Sequence, residues 1–221
     1  MKVKGHVIFT LATAVLLTGF AFYTASILPP GAELPTHWNA AGQVDDTSPA
    51  LIALLIPAGI VLLMGLLLAI IPAIEPLQDR LEGSAPLLRA TWGAVVLLAV
   101  LIAAVIGLPA YGIHVPVNAI MLGIGMVLVI VGNALPKSRP GFFVGIRTPW
   151  TITNTDNWIA THRLGGKLMI LAGAAIILAS LLPLTPETTA IVVLTTVAMA
   201  VIVPFAYSWW LWHRSRGHSA E

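Results

Sequence analysis

The chain contains no cysteine, and only 9% of its 221 residues are charged. The absence of cysteine excludes disulfides, thiolate nucleophiles and thiolate metal sites. Soluble globular domains carry roughly 25% charged residues, whereas 58% of this chain is hydrophobic. These proportions predict an integral membrane protein.

Six stretches are long and apolar enough to cross a bilayer, which takes about 20 helical residues. We therefore predict an all-α, polytopic membrane protein with six transmembrane helices. The first stretch follows two lysines and could be read as a signal peptide, but its apolar run is longer than a typical signal core. The predicted spans are residues 7–28, 51–74, 90–111, 115–135, 168–184 and 190–212.

The positive charges of the chain all fall on one side of this topology. Cytoplasmic loops of membrane proteins carry an excess of Lys and Arg, so this side is predicted to be the inner one. The opposite, outer side then holds Glu33, Asp45 and Asp46 in its first loop. Because the number of spans is even, both termini are predicted to lie in the cytoplasm. The protein is predicted to be a multi-pass protein of the cell membrane. The inner side receives Lys2, Lys4, Arg80, Arg89, Lys137, Arg139, Arg147, Arg163, Lys167, Arg214 and Arg216.

The predicted spans contain no Asp, Glu, Lys or Arg well inside the membrane. Pumps and proton-coupled transporters usually place such groups near the midplane, so their absence argues against transport. However, each half of the chain has its longest polar loop after its first helix, as in the inverted repeats of transporters. A small-solute or lipid transporter is therefore kept as an alternative function.

The first predicted outer loop carries a polar motif, here named the outer motif. It reads Leu-Pro-Thr-His-Trp-Asn at residues 34–39 and continues through Gly42 to Asp45. Residues 39–42 are typical of a turn, which would bring His37 and Asp45 towards each other. The candidate residues of the outer motif are His37, Trp38, Asn39, Gly42 and Asp45.

The outer motif allows three interpretations. A metal-dependent membrane enzyme is one alternative, because His37, Asp45 and Asp46 could supply three metal ligands if the loop folds back. Glu33 would be a reserve ligand. The other two interpretations are a hydrogen-bonded structural loop and a docking surface for a molecule that arrives from outside.

The least hydrophobic long segment, residues 145–166, is here named the inner motif. Pro149 disfavours helical backbone at the residue before it, so a turn is predicted there. Thr153 and Asp156 have the spacing of a capping box, and Gly165 with Gly166 supplies a helix stop. A short helix of about three turns is predicted between these signals. Its candidate residues are Gly145, Arg147, Thr148, Pro149, Trp150, Asn154, Trp158, Thr161, His162, Arg163, Gly165 and Gly166.

The charges around the inner motif suggest two interactions. Arg147 and Arg163 flank the start of the predicted helix and would attract lipid phosphate or an acidic protein surface. The preceding inner loop carries acidic residues at near-helical spacing, and we predict that they pair with the basic inner motif. The acids are Glu75, Asp79 and Glu82, and the basic candidates are Arg147, Arg163 and Lys167.

The two motifs together resemble a known family. The inner motif is similar to the signature of the SdpI family of bacterial membrane proteins, and the outer motif resembles an uncharacterised domain that often precedes that signature. The resemblance implies an N-terminal two-helix region at residues 1–89 and a four-helix SdpI-like region at residues 90–221.

The resemblance also implies a function. The named member of the family is a non-enzymatic immunity protein that protects its cell from a secreted toxic peptide and signals by holding a transcriptional repressor at the membrane. The expected partners are therefore membrane lipids, a secreted peptide toxin outside and a cytoplasmic repressor inside. No cofactor and no direct contact with nucleic acid are expected, because the basic charge follows the membrane surface.

The predicted orientation can be tested on the lysines, all of which should face the cytoplasm. A membrane-impermeant amine reagent should leave Lys137 and Lys167 unlabelled in intact cells and should label both once the membrane is opened. Mass spectrometry of the purified protein locates the label. Labelling of both lysines in intact cells would reverse the side assigned to every loop.

Overall fold

The computed structural model describes residues 3–39, 41–77 and 81–217. Within these residues six helices are long and apolar enough to span a membrane, which confirms the predicted fold class. Of the residues used in the sequence argument, Lys2, Asp79 and Arg80 lie outside the described ones. The long helices are α1 (Lys4–Ile27), α2 (Ala50–Ile74), α3 (Ala85–Gly107), α4 (Asn118–Ala134), α6 (Thr155–Leu181) and α7 (Pro186–Gly217), and α5 is a short helix (Pro149–Thr153).

An antiparallel hairpin joins α1 to α2, and the sequence analysis did not predict it. Its strands are β1 (Glu33–Trp38) and β2 (Val44–Pro49), and their register is irregular around His37. Both strands contain proline, which weakens the sequence signal because proline cannot donate a ladder hydrogen bond. The turn predicted at residues 39–42 is the loop of this hairpin.

The hairpin is held against the helices by its first strand. Leu34 and Trp38 of β1 pack on a buried cluster that includes Ala21 of α1, Leu54 of α2 and Ile106 of α3. Strand β2 is exposed along most of its length and continues without a linker into α2. The hairpin and α2 therefore form one continuous piece of regular structure.

Glycines allow α4 and α6 to approach closely. A Cβ atom added at Gly166 would lie 2.6 Å from the carbonyl oxygen of Gly132, and one added at Gly173 would lie 2.5 Å from that of Gly125. Small residues let helix backbones come together in membranes, where packing rather than hydrophobicity drives association. These glycines therefore bring α4 and α6 into backbone contact.

The helix stop predicted at Gly165 and Gly166 is wrong. Helix α6 continues through both residues to Leu181, so the fifth span and the predicted short helix are one element. Both glycines are buried, and an added Cβ at Gly165 would lie 2.6 Å from the Ile146 side chain. These glycines are therefore needed for close packing, a role that outweighs their low helix propensity.

This packing predicts the effect of adding one methyl group. Gly166→Ala should lower the free energy of unfolding by about 1–3 kcal/mol, because the new Cβ meets backbone that cannot move aside easily. Unfolding of the detergent-solubilised protein by a denaturing detergent provides the measurement. Gly59→Ala is the control, since nothing lies within 4 Å of a Cβ at Gly59 in α2. Equal stability of the two variants would contradict the prediction.

Candidate functional site

The structure brings His37 and Asp45 of the outer motif into direct contact. His37 Nδ1 lies 2.6 Å from Asp45 Oδ1, across the two strands of the hairpin. The approach predicted from the sequence is confirmed. Both side chains are substantially exposed, His37 by 66% and Asp45 by 41%, so the pair contributes little to stability and its groups face solvent.

Asn39 and Gly42 shape the turn of the outer motif. The Asn39 side-chain oxygen accepts the backbone amides of Ala41 at 2.9 Å and Gln43 at 3.0 Å. Gly42 has a φ of 73°, a left-handed conformation that favours glycine. These two residues therefore fix the loop that places His37 opposite Asp45.

The metal-site interpretation is not supported by the described part of the chain. No group of three His, Asp or Glu side chains there is placed to hold a metal ion. Asp46 Oδ1 accepts the amide of Thr47 at 2.9 Å, and Glu33 Oε2 accepts the Thr47 hydroxyl at 2.6 Å. Two of the predicted ligands are thus bonded within the hairpin and away from a common centre.

The outer motif also borders the second half of the chain. A cavity of about 80 Å³ lies between the hairpin turn and the first turns of α4 and α7. Trp38, Asn39 and Gly42 form one wall, and Asn118 and Pro186 belong to the other. The outer motif is therefore placed where the N-terminal region meets the C-terminal helices.

The inner motif is organised around His162, which is fully buried on α6. The backbone amide of Ile146 donates to His162 Nε2 at 2.8 Å, and His162 Nδ1 lies 2.8 Å from the Trp158 carbonyl oxygen. Because Nε2 accepts, Nδ1 carries the proton and the ring is neutral. The Trp158 ring stacks on it at 4.0 Å. Gly145, with a φ of 110°, leaves no room for a Cβ beside these rings.

Thr148 is the N-cap of the short helix α5, which begins at Pro149. Its backbone is extended, and its side chain accepts the Thr151 amide at 3.1 Å. Thr151 Oγ1 in turn accepts the Thr148 amide at 2.9 Å and donates to the Ile146 carbonyl at 2.9 Å. A capping box is therefore present, but it is formed by Thr148 and Thr151.

The capping box predicted at Thr153 and Asp156 is wrong. Thr153 lies inside α5, where its hydroxyl donates to the Pro149 carbonyl at 2.7 Å. Asn154 is the cap of α6 instead, since its side-chain oxygen accepts the Asn157 amide at 2.9 Å. Asn is a strong N-cap, and the helix cap lies at Asn154, one residue after the predicted Thr153.

Buried polar residues that the sequence analysis missed connect α6 to α7. Asn157 Nδ2 donates to the Ser208 carbonyl at 2.8 Å and Asn157 Oδ1 accepts the Thr161 hydroxyl at 3.0 Å. The Ser208 hydroxyl also lies 3.2 Å from the Thr148 hydroxyl. The spacing of Asn157, Trp158, Thr161 and His162 along one helix face was the available signal.

Glu75, at the end of α2, accepts hydrogen bonds from the segment that precedes the inner motif. Its carboxylate oxygens lie 3.1 Å from the backbone nitrogens of Phe142 and Phe143, and it also accepts the Leu77 amide. The Glu75 residue is only 3% exposed. These contacts are with backbone amides, so the predicted pairing of the acidic loop with basic side chains stays a prediction.

The basic residues in and directly after the inner motif are exposed. Arg147 Nη1 donates to the Phe142 carbonyl at 2.7 Å, while the Arg163 and Lys167 side chains project from α6. Pro149 is exposed too, and Trp150 is half-buried against α7, its ring 5.8 Å from that of Phe205. The inner motif thus combines a buried polar network with cations on its surface.

The inner motif lies within a region shared with known proteins. Residues 137–208 match the model of the SdpI/YfhL protein family. This part of the chain is therefore similar to the SdpI/YfhL family. The predicted resemblance to the SdpI family is confirmed over this region, which includes the inner motif.

Similarity to one curated protein extends beyond the matched region. The chain is 25% identical over 207 residues to "Immunity protein SdpI" of Bacillus subtilis (strain 168), which covers 92% of this chain and 96% of that protein. No solved structure matches the chain. The separate domain predicted around the outer motif is not tested by these comparisons and stays a prediction.

The buried network predicts that His162 is needed for an ordered inner motif. His162→Phe keeps a ring of similar shape but leaves the Ile146 amide without its acceptor, which should cost about 1–3 kcal/mol of unfolding free energy. Trypsin cleavage after Arg147 should also become faster, because the loop is less tightly held. His114→Phe, at an exposed position before α4, is the control. Unchanged stability and cleavage in His162→Phe would contradict this role.

Proposed function

We propose that this protein belongs to the SdpI family and is a membrane immunity protein that protects its cell from a secreted antimicrobial peptide. The observation that carries the proposal is the similarity to the Bacillus subtilis immunity protein over nearly the full length of both chains. The six helices fit a multi-pass protein of the plasma membrane. The proposed mode of action is binding, without an enzymatic step.

The hairpin is the proposed contact for the toxic peptide. Strand β2 exposes its side chains, including Asp45 and Asp46, and Glu33 is exposed on the neighbouring strand. Acidic groups attract a cationic peptide and raise its rate of association. Val44, 46% exposed at the start of β2, adds an apolar contact. Trp38 contributes less than its size suggests, because it packs against the helices.

The exposed cations in and directly after the inner motif are the proposed contact on the other face. Arg147 is held by the Phe142 carbonyl at the edge of an ordered loop, and Arg163 and Lys167 are exposed on α6. Such a surface suits anionic lipid or an acidic protein. A cytoplasmic repressor held at this surface is the proposed signalling partner.

The proposal predicts the phenotype of variants in a sensitive host. The unaltered chain should restore growth to a Bacillus subtilis strain that lacks its own SdpI and is exposed to the corresponding toxin. His37→Ala and Arg147→Ala should each lower the tolerated toxin concentration about tenfold, the effect of losing one good contact. Growth across a toxin dilution series provides the measurement.

Matched controls separate these effects from loss of protein. His114→Ala changes an exposed histidine outside the outer motif, and Arg89→Gln removes an exposed cation of α3 outside the proposed contact surface. Both should protect nearly as well as the unaltered chain, at equal amounts of membrane-inserted protein. Full protection by both His37→Ala and Arg147→Ala would overturn the proposed sites. Failure of the unaltered chain to protect would overturn the immunity function against this toxin.

A further inference from the structure

We propose that Glu75 is the positioning residue for Arg147, and that it links the loop containing Phe142 and Phe143 to α2, the helix that follows the hairpin. The inference rests on the proposed function for the importance of Arg147, but its geometry stands apart from that function. It assigns a role to a carboxylate that lies outside the residues matched by the family model.

The first link is the buried carboxylate itself. Glu75 accepts the amides of Phe142 and Phe143, two consecutive residues of a loop without helical hydrogen bonds of its own. A Cβ added at Gly141 would lie 3.3 Å from Glu75 Oε2, so the loop backbone passes directly over the carboxylate. A charged acceptor forms stronger hydrogen bonds with amides than a neutral one. The position of this loop therefore depends on Glu75.

The second link joins the loop to Arg147. Glu75 accepts the Phe142 amide, and the Phe142 carbonyl oxygen accepts a hydrogen bond from Arg147 Nη1 at 2.7 Å. Phe142 is thus bonded to Glu75 on its amide side and to the guanidinium on its carbonyl side. If Phe142 moves, the guanidinium loses the contact that fixes its direction.

The third link is α2. The amide of Glu75 donates to the Ile71 carbonyl at 3.0 Å, so the residue continues the hydrogen bonding of the helix end. At its other end α2 begins at Ala50, immediately after β2. The Ala50 amide donates to the carbonyl oxygen of Ala32, which precedes β1, at 2.9 Å. If the hairpin moved together with α2, Glu75 would therefore move as well, and it would displace the loop that contains Phe142.

A cysteine reporter tests this inference without a toxin, because the chain has no cysteine of its own. Val144→Cys places a thiol at a buried position, 8% exposed, between the residues held by Glu75 and Arg147. Glu75→Gln in this background should raise the rate of maleimide labelling about tenfold, since local opening exposes the thiol. Glu75→Asp, which keeps the carboxylate, should give an intermediate rate.

Two controls exclude a general loss of structure. Asp156→Asn removes another inner carboxylate, exposed on α6, and should leave the labelling rate of Val144→Cys unchanged. A second reporter, Ala99→Cys, is fully buried in α3 and should stay unlabelled in Glu75→Gln if the helices remain folded. Unchanged labelling of Val144→Cys in Glu75→Gln would overturn the inference, as would equal exposure of both reporters.

A growth assay then separates this inference from the proposed function. Glu75→Gln should lower protection to the level of Arg147→Ala, and the double variant should be no worse than either single variant. If Glu75→Gln opens the loop and Arg147→Ala still protects fully, the positioning role stands and the use of Arg147 in immunity is overturned. If Arg147→Ala loses protection while Glu75→Gln opens the loop and still protects, the role of Glu75 in positioning Arg147 is overturned.

Discussion

The structure depends on satisfying the backbone amides of a non-helical segment beside a bundle of apolar helices. Backbone that is not helical is tolerated in such surroundings only where protein groups accept its hydrogen bonds. Glu75 accepts the amides of Phe142 and Phe143, His162 accepts that of Ile146, and Thr151 accepts that of Thr148. The acceptors come from α2, α6 and α5, so the loop can be ordered only when these elements are already in place.

The same loop explains why small residues recur in the inner motif. Gly145 takes a left-handed conformation against the stacked rings of Trp158 and His162, while Gly165 and Gly166 let Ile146 and α4 approach α6. The polar network then continues through Asn157 to Ser208 of α7. A motif that is polar in the sequence is therefore largely internal, and Arg147 and Arg163 are its basic members that remain exposed.

The parts that were predictable follow from strong local signals. Runs of apolar residues identified the six spans, and the turn residues Asn39 and Gly42 identified the contact between His37 and Asp45. The hairpin was missed because its strands are short and contain proline. Glycine at Gly165 was misread as a helix stop, since the same residue type both ends helices and allows close packing.

The sequence by itself determined the membrane class, the spans and the two motifs, because hydrophobicity and turn chemistry act over a few neighbouring residues. The tertiary structure decided which polar residues are internal acceptors and which are exposed. Nothing in the sequence around Glu75 indicates that its carboxylate will accept the amides of Phe142 and Phe143, which lie 67 and 68 positions further along the chain. Such a contact exists only once α2 and the loop are folded together, because a buried amide takes whichever acceptor the packed helices place beside it.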